Sequence, residues 1–302
     1  MHIPDGFLSA PVWIATDVAG LAAVGYFGHR AQREITESKV PLMGVMGAFV
    51  FAAQMINFPV GVGVSGHLLG SALLTYTLGP AAAVVVMTAV LALQALVFQD
   101  GGLLALGANV LNMAVIGVGA AYLPDALLRR GGARKLGMFL GGLLSVLVGA
   151  ALALGELIIS GIRIPASVMW LSLGLFTLAA VIEGAITLGV VEALGRINPR
   201  WLHQPDKPWN RATAALTVAA LAIVVFGVLV ASGAPDGLEH VAGEIGIADR
   251  ARALVATPLA DYEAAFVESP WLSQVVAGLA GLMLIAVICL FLGRIWSRAR
   301  RA

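Results

Sequence analysis

The first eight residues, MHIPDGFL, set a histidine beside an amino terminus at the head of a hydrophobic chain. The α-amine of Met1, the amide nitrogen of His2 and the His2 imidazole can close two fused chelate rings about one ion once the amide has lost its proton. Ions that favour a square of nitrogens, Ni(II) and Cu(II) and less readily Co(II), suit that set, whereas Mg and Ca take oxygen and structural Zn takes a tetrahedron. One corner stays open, and His67, in the run GVSGHLLG, is the candidate for it. Pro4 restrains the peptide that leaves the chelate through its fixed φ. The plainer alternatives are that Met-His is a start residue and its neighbour, and that an intramembrane histidine is a hydrogen-bonded core group. A bulky second residue such as His2 predicts retention of Met1. Asp5, ahead of any apolar run and with no basic stretch before it, argues against a cleaved leader.

Positioning these residues falls to membrane helices. Of 302 residues, 60% are hydrophobic and 12% charged, against roughly 45–50% and 25% in soluble domains, so the chain belongs in a bilayer. The net charge of +1 excludes a nucleic-acid binder, and the single Cys289, inside an apolar run, excludes a disulfide framework or a cysteine zinc site. Apolar runs able to cross roughly 30 Å of hydrocarbon lie at about 7–28, 40–57, 66–79, 80–98, 103–122, 135–160, 168–195, 211–232 and 272–293. They predict nine helices, the third and fourth split only at Gly79-Pro80 and open to being one kinked element. Fifteen of the 18 Lys and Arg fall in four clusters: Arg30, Arg33 and Lys39; Arg129, Arg130, Arg134 and Lys135; Arg196, Arg200, Lys207 and Arg211; Arg294, Arg298, Arg300 and Arg301. Nine spans put all four on one side, which the positive-inside rule makes the cytoplasm of a multi-pass inner-membrane protein. Met1 then starts outside and the C-terminus ends inside.

Two units are expected. Residues 1–195 carry seven helices with Gly-rich turns, 196–210 are a polar, Pro-containing cytoplasmic linker, and 211–302 form a two-helix hairpin around an outer loop, 233–271. That loop carries Asp236, Glu239, Glu244, Asp249, Asp261, Glu263 and Glu268 against Arg250 and Arg252. Its negative field would raise cation capture, although simple solvation is the commoner use of such acids and the one favoured here.

The stretches MHIPDGFLS at the start, QMINFPV at 54–60, SGHLLG at 65–70, LGP at 78–80, FQDGGLLALGANVLNMA at 98–114 and PDGLE at 235–239 resemble, in that order, the CbiM/NikM family. These are the substrate-binding (S) components of energy-coupling factor transporters for cobalt and nickel. The resemblance covers 1–195, and the PDGLE stretch with its flanking helices is similar to the small accessory subunit, here fused. It implies an all-α polytopic membrane protein, a seven-helix S-component-like bundle followed by the C-terminal hairpin. It implies that the Met1 amine, the His2 amide and imidazole and the His67 imidazole bind Ni(2+) or Co(2+), the PDGLE segment leaning towards nickel. It also implies a transmembrane coupling (T) subunit and two ATPase subunits. The chain's only lysines are Lys39, Lys135 and Lys207, none within a G-x-x-x-x-G-K-[ST] sequence, so ATP would be hydrolysed by those partners.

Asn57, Gln94, Asp100, Asn109 and Asn112 fall near outer helix ends, where they would hold the N-terminal segment and the His67 loop by hydrogen bonds; helix-to-helix bonding is the equal alternative. Ser65 belongs to the same loop. Glu183 is a mid-span acid of open role, a helix contact or a group near the coupling subunit. Ala15, Ala19 and Ala23 form a small-residue ridge on the first helix, suited to internal packing or to docking the coupling subunit. The rival readings are an intramembrane serine protease built on Ser65 in Gly63-Val64-Ser65-Gly66, and a channel or secondary transporter acting alone. Against the protease, His67 lies two residues from Ser65, about 200° round a helix, too far round to serve as its base.

Overall fold

The computed structural model describes residues 1–198 and 210–299, without the side chains of Arg130, Arg298 and Ala299. Most of the linker expected at 196–210, with Arg200 and Lys207, and the terminal Arg300 and Arg301 lie outside the described residues. The helices are α1 (Ala10–Glu34), α2 (Val40–Gln54), α3 (Ser71–Leu78), α4 (Pro80–Leu93), α5 (Leu106–Asn109), α6 (Gly117–Leu128), α7 (Arg134–Ile159), α8 (Ala166–Ile197), α9 (Arg211–Phe226), α10 (Gly237–Glu244) and α11 (Pro270–Ala299). A π segment, Gln94–Phe98, carries α4 onward, and another, Val110–Ile116, joins α5 to α6 in one continuous helix.

Seven of these helices are long and apolar enough to cross a membrane: Ala10–Glu34, Pro80–Phe98, Leu106–Leu128, Arg134–Ile159, Ala166–Ile197, Arg211–Leu229 and Pro270–Ser297. Two of the nine expected spans fall short. At 1.5 Å per residue α2 reaches about 22 Å and α3 about 12 Å, against the roughly 30 Å of a bilayer core. The reason lies in residues 55–70, where an antiparallel hairpin, β1 (Phe58–Gly61) with β2 (Val64–Gly66), replaces helix. Gly63 and Gly70 there have φ of 73° and 83°, values at which helix cannot continue. At Gly79 (φ 87°) the chain turns, so α3 and α4 are two elements, and Pro80 opens the second at a helix-compatible φ.

The core sits where α2, α3 and α4 are enclosed by the longer helices. Val50, Phe51, Leu73, Leu74, Val86 and Met87 are fully buried. The accessory hairpin is part of this packing. A Cβ on Gly47 of α2 would stand 2.9 Å from Cys289 Sγ, and one on Gly44 the same distance from Leu290 Cγ, so these glycines let α11 lie close against α2. Cys289 is therefore a packing residue. At one end of the bundle the basic clusters meet their partners, with Lys135 on Glu192 at 2.7 Å and Arg129 and Arg134 each 3.8 Å from Asp125. At the opposite end the N-terminal segment, the β1–β2 hairpin, the turn after α4 and the loop between α9 and α11 converge.

Candidate metal centre

Residues 1–9 run without helix into the end of the bundle, and three groups fasten them there. Asp5 accepts from the amides of Leu103 (2.9 Å), Leu104 (2.8 Å) and Ala105 (3.2 Å), successive donors of the turn that leads into α5. A Cβ on Gly102 would fall 2.3 Å from Asp5 Oδ1, so the carboxylate's approach needs glycine there. Asn109 clamps the backbone of Ile3 on both sides, accepting from its N–H at 2.8 Å and donating to its carbonyl at 3.0 Å. Ile3 and Phe7 then bury themselves among Leu157 of α7, Phe176 of α8 and Leu238 of α10.

His67 is held from the other side. Glu183 of α8 accepts from Leu69 N (2.7 Å) and Gly70 N (2.9 Å), so the acid of open role secures the turn directly after His67. Ser65 donates its hydroxyl to Ala234 O at 2.7 Å and its amide to Pro235 O at 2.9 Å, which lays residues 234–236 along β2. That donation, together with the absence of any histidine partner for Ser65 among the described residues, removes the protease geometry.

These supports bring Met1, His2 and His67 together. The Met1 nitrogen is 3.0 Å from His67 Nε2, and the His2 and His67 rings stack with centroids 5.3 Å apart and planes 10° apart. His67 Nδ1 lies 3.0 Å from the Leu68 carbonyl, an acceptor only, so Nδ1 carries the proton and the Nε2 lone pair faces the amine. His2 Nδ1 is 2.9 Å from Asp100 Oδ1, while His2 Nε2 is buried without a hydrogen-bond partner. The Met1 amine also pairs with Asp236 Oδ2 at 2.5 Å, and that oxygen stands 4.0 Å from His67 Nε2. Met1 Cε would meet a Cβ on Gly149, so the thioether is turned towards α7.

The electrostatics favour a neutral His67 imidazole beside two charged carboxylates. Burial, with the Met1 ammonium and His2 nearby, pushes His67 down to about 4. Burial alone would raise Asp236, but the Met1 ammonium and His67 hold it down at about 2. Asp100 is likewise held well below the usual carboxylate range against burial, by His2 first.

The remaining sequence candidates divide. Gln94 donates to Gln54 at 2.9 Å, and Gln54 to the Leu69 carbonyl at 2.7 Å, linking α4 to the His67 turn. Asn57 acts through its carbonyl, which accepts from Ser232 N at 2.8 Å. Asn112 donates to Glu156 at 2.8 Å and ties the α5–α6 helix to α7 instead of to the site. Ala15 and Ala19 are exposed and Ala23 half-buried. Sequence reasoning passed over Asp5, Tyr262 and the direct contact of Asp236. Asp236 had a local signal, since Asp236 and Glu239 are spaced as a capping box, and the box forms at the start of α10.

Residues 2–201 match the family model of the cobalt uptake substrate-specific transmembrane region, CbiM, and residues 210–298 that of the PDGLE domain. The chain belongs to the CbiM family. Among CbiM relatives it is 31% identical over 296 residues to the putative fused nickel transport protein NikMN of Archaeoglobus fulgidus, covering 95% of this chain and 96% of that one. It is 32% identical over 330 residues to the fused nickel transport protein NikMN of Rhodobacter capsulatus, covering 94% and 95%. The crystal structure of a truncated transition metal transporter matches with a TM-score of 0.58 at 30% identity, over 65% of this chain and 99% of that one. This CbiM-family chain is thus a membrane protein of nickel and cobalt transport. Among its described residues no group of three or more His, Cys, Asp and Glu side chains is placed to hold an ion.

Proposed function

We propose that this chain captures Ni(II) or Co(II), with nickel favoured, in a square of nitrogens supplied by the Met1 amine, the His2 amide, the His2 imidazole and His67 Nε2. One observation carries the reading, the 3.0 Å between the Met1 nitrogen and His67 Nε2. With metal–nitrogen bonds of about 2.0 Å, adjacent corners of a square lie about 2.8 Å apart. Only His2 Nδ1 can close a six-membered ring with its own amide nitrogen, so on loading that nitrogen exchanges Asp100 for the ion. The aliphatic lining of Val146, Leu175 and Ala179 favours an ion that sheds its water on entry.

The capturing end faces out of the cell and the basic end faces the cytoplasm, in keeping with the positive-inside rule. Residues 1–195 act as the S component, 196–210 as a cytoplasmic linker and 211–302 as the accessory domain. A coupling subunit and two ATPase subunits drive inward delivery, and the thinly covered face of α1 with Ala15, Ala19 and Ala23 docks the coupling subunit. The deciding test adds one residue ahead of Met1. That insertion moves the amine out of the five-membered ring, and the purified protein should lose most of its bound metal, whereas unchanged stoichiometry would refute the chelate.

A further inference from the structure

The nitrogen donors border spaces of different character. Beside Met1 and His67 lies a narrow one of about 30 Å³, lined by Val60, Val146, Leu175 and Ala179. A larger cavity, of about 710 Å³, reaches His2 and His67 together. An ion carrying about six waters needs roughly 60–90 Å³, at about 10–15 Å³ for each water. The aliphatic space is too small for it, and the larger one is ample.

Charge along the larger cavity is of one sign. Glu239 and Asp261 stand exposed at its rim, while Asp100 and the buried Asp236 lie deeper. Among the described residues no lysine or arginine lines it, and Arg252 falls in a neighbouring cavity instead. The Met1 amine offsets Asp236, which leaves three carboxylates facing the space. A cleft of one sign between low-dielectric walls gathers counter-ions and raises their rate of arrival. One wall is the metal-bearing segment itself, through His2, Pro4 and Phe7, and the other is the accessory unit, in stretches from Val228 to Gln274. Tyr262 fastens the second wall to the bundle, donating its hydroxyl to Asp100 Oδ2 at 2.5 Å and stacking on Phe98 with centroids 4.8 Å apart.

We propose that this cavity is the entrance by which a hydrated divalent ion reaches the nitrogen donors, with Glu239 and Asp261 the first charges it meets. The ion keeps its waters along the polar passage and loses them at the inner end, where His2 and His67 stand. The accessory unit thereby builds half of the route and supplies no ligand. Entry and exit share the passage, so a charge placed on the rim changes capture and release by the same factor and leaves affinity alone. This inference rests on the reading that Met1, His2 and His67 bind the ion.

The test uses the purified full-length protein and Ni(II) alone. Cys289, the chain's single cysteine, is fully buried, so Ala248→Cys on the exposed rim of the cavity supplies the one reactive thiol. That thiol is capped with a cationic or with an anionic methanethiosulfonate of similar size, and once capped it offers the ion no ligand. In stopped-flow mixing at low ionic strength the cationic cap should make capture roughly tenfold slower than the anionic cap does, the gap closing as salt rises, with affinity changed by less than about threefold. The same two caps on Ser167→Cys, exposed at the start of α8 and outside the cavity, should differ by less than about twofold. Asp261→Asn keeps a residue type that tolerates the left-handed backbone at φ 53°, and it should slow capture roughly threefold. Caps at Ala248 that differ by less than about twofold, or that differ no more there than at Ser167, would overturn the proposal while leaving metal capture standing. Should Ala248→Cys fail to fold, an unchanged capture rate in Asp261→Asn overturns it. A wild-type chain that binds neither Ni(II) nor Co(II) overturns the capture reading, and this one with it.

Discussion

The α-amine of Met1 and Asp236 Oδ2, 235 positions apart, form an ion pair at 2.5 Å, while Oδ1 of the same carboxylate caps α10 by accepting from Leu238 N at 2.8 Å and Glu239 N at 2.9 Å. One side chain of the PDGLE stretch therefore starts its own helix and holds the first atom of the chain. The acid expected merely to solvate the outer loop is instead buried against the amine.

A divalent ion that replaces one proton on the amine and one on the His2 amide leaves that set at a formal charge of +1, the charge of the ammonium it replaces. Asp236 then attracts the loaded and unloaded site alike, and its charge acts on the approach of the ion. Asp236→Asn keeps an equally good cap. It should slow Ni(II) capture roughly tenfold at low ionic strength, less as salt rises, with affinity changed by less than about threefold. Stopped-flow mixing checks this, and an affinity loss exceeding the rate loss would make Asp236 a ligand.

Acidity has a signed effect through His67, which faces Met1, His2, Asp236 and Asp100. Its value of about 4 in the fold lies below the roughly 6.5 of an unfolded histidine. Between those values the unfolded chain holds the extra proton, so the stability His67 contributes is intact above about pH 6.5 and is lost as pH falls towards 4. Above that window His67 releases no proton on binding, and the amine and the His2 amide release about two together. Affinity should therefore rise with pH by up to about a hundredfold per unit. Calorimetry in buffers of different ionisation enthalpy should count about two protons per ion, and a count of about one or fewer would exclude amide ligation.

Asn109→Leu should orphan the amide of Ile3, at about 1–3 kcal/mol, while the Ile3 carbonyl keeps its bond from Gly102 N at 2.8 Å. The metal-bearing segment then opens more often, and bound Ni(II) should exchange at least tenfold faster with the fold intact. Dissociation into excess chelator measures it.

Glu183→Gln offers one acceptor oxygen to the two amides of Leu69 and Gly70 and leaves one buried donor unpaired, a loss of about 1–3 kcal/mol. The midpoint of thermal unfolding should fall by several degrees, and Ni(II) affinity should fall with it because His67 loses its anchor. Unchanged affinity alongside the lower midpoint would confine Glu183 to packing.

Much of this was legible in the sequence because hydrophobic length and charge placement are properties of the chain itself. The runs at 135–160 and 168–195 became α7 and α8 within a few residues. The run at 66–79 misled because its apolar residues serve a turn and a short helix, and Gly63 and Gly70 outweigh hydropathy through backbone conformation. Met1, His2 and His67 could be singled out because nitrogen donors are scarce on so apolar a chain. Tyr262 could not: it sits in an aperiodic loop, and its partner Asp100 is 162 positions away. Glu183 announced its importance by the cost of burying an acid in a span, but not its partners, which are main-chain amides.

X-ray absorption on the Ni(II)-loaded full-length protein bears most directly on the central claim, since it reports ligand type, number and geometry together. Four nitrogen neighbours at about 2.0 Å in a square-planar, diamagnetic centre, with no sulfur, are the result this account predicts. A sulfur neighbour from the Met1 thioether, or an octahedral set of oxygens with Asp100 and Asp236 as ligands, would contradict it.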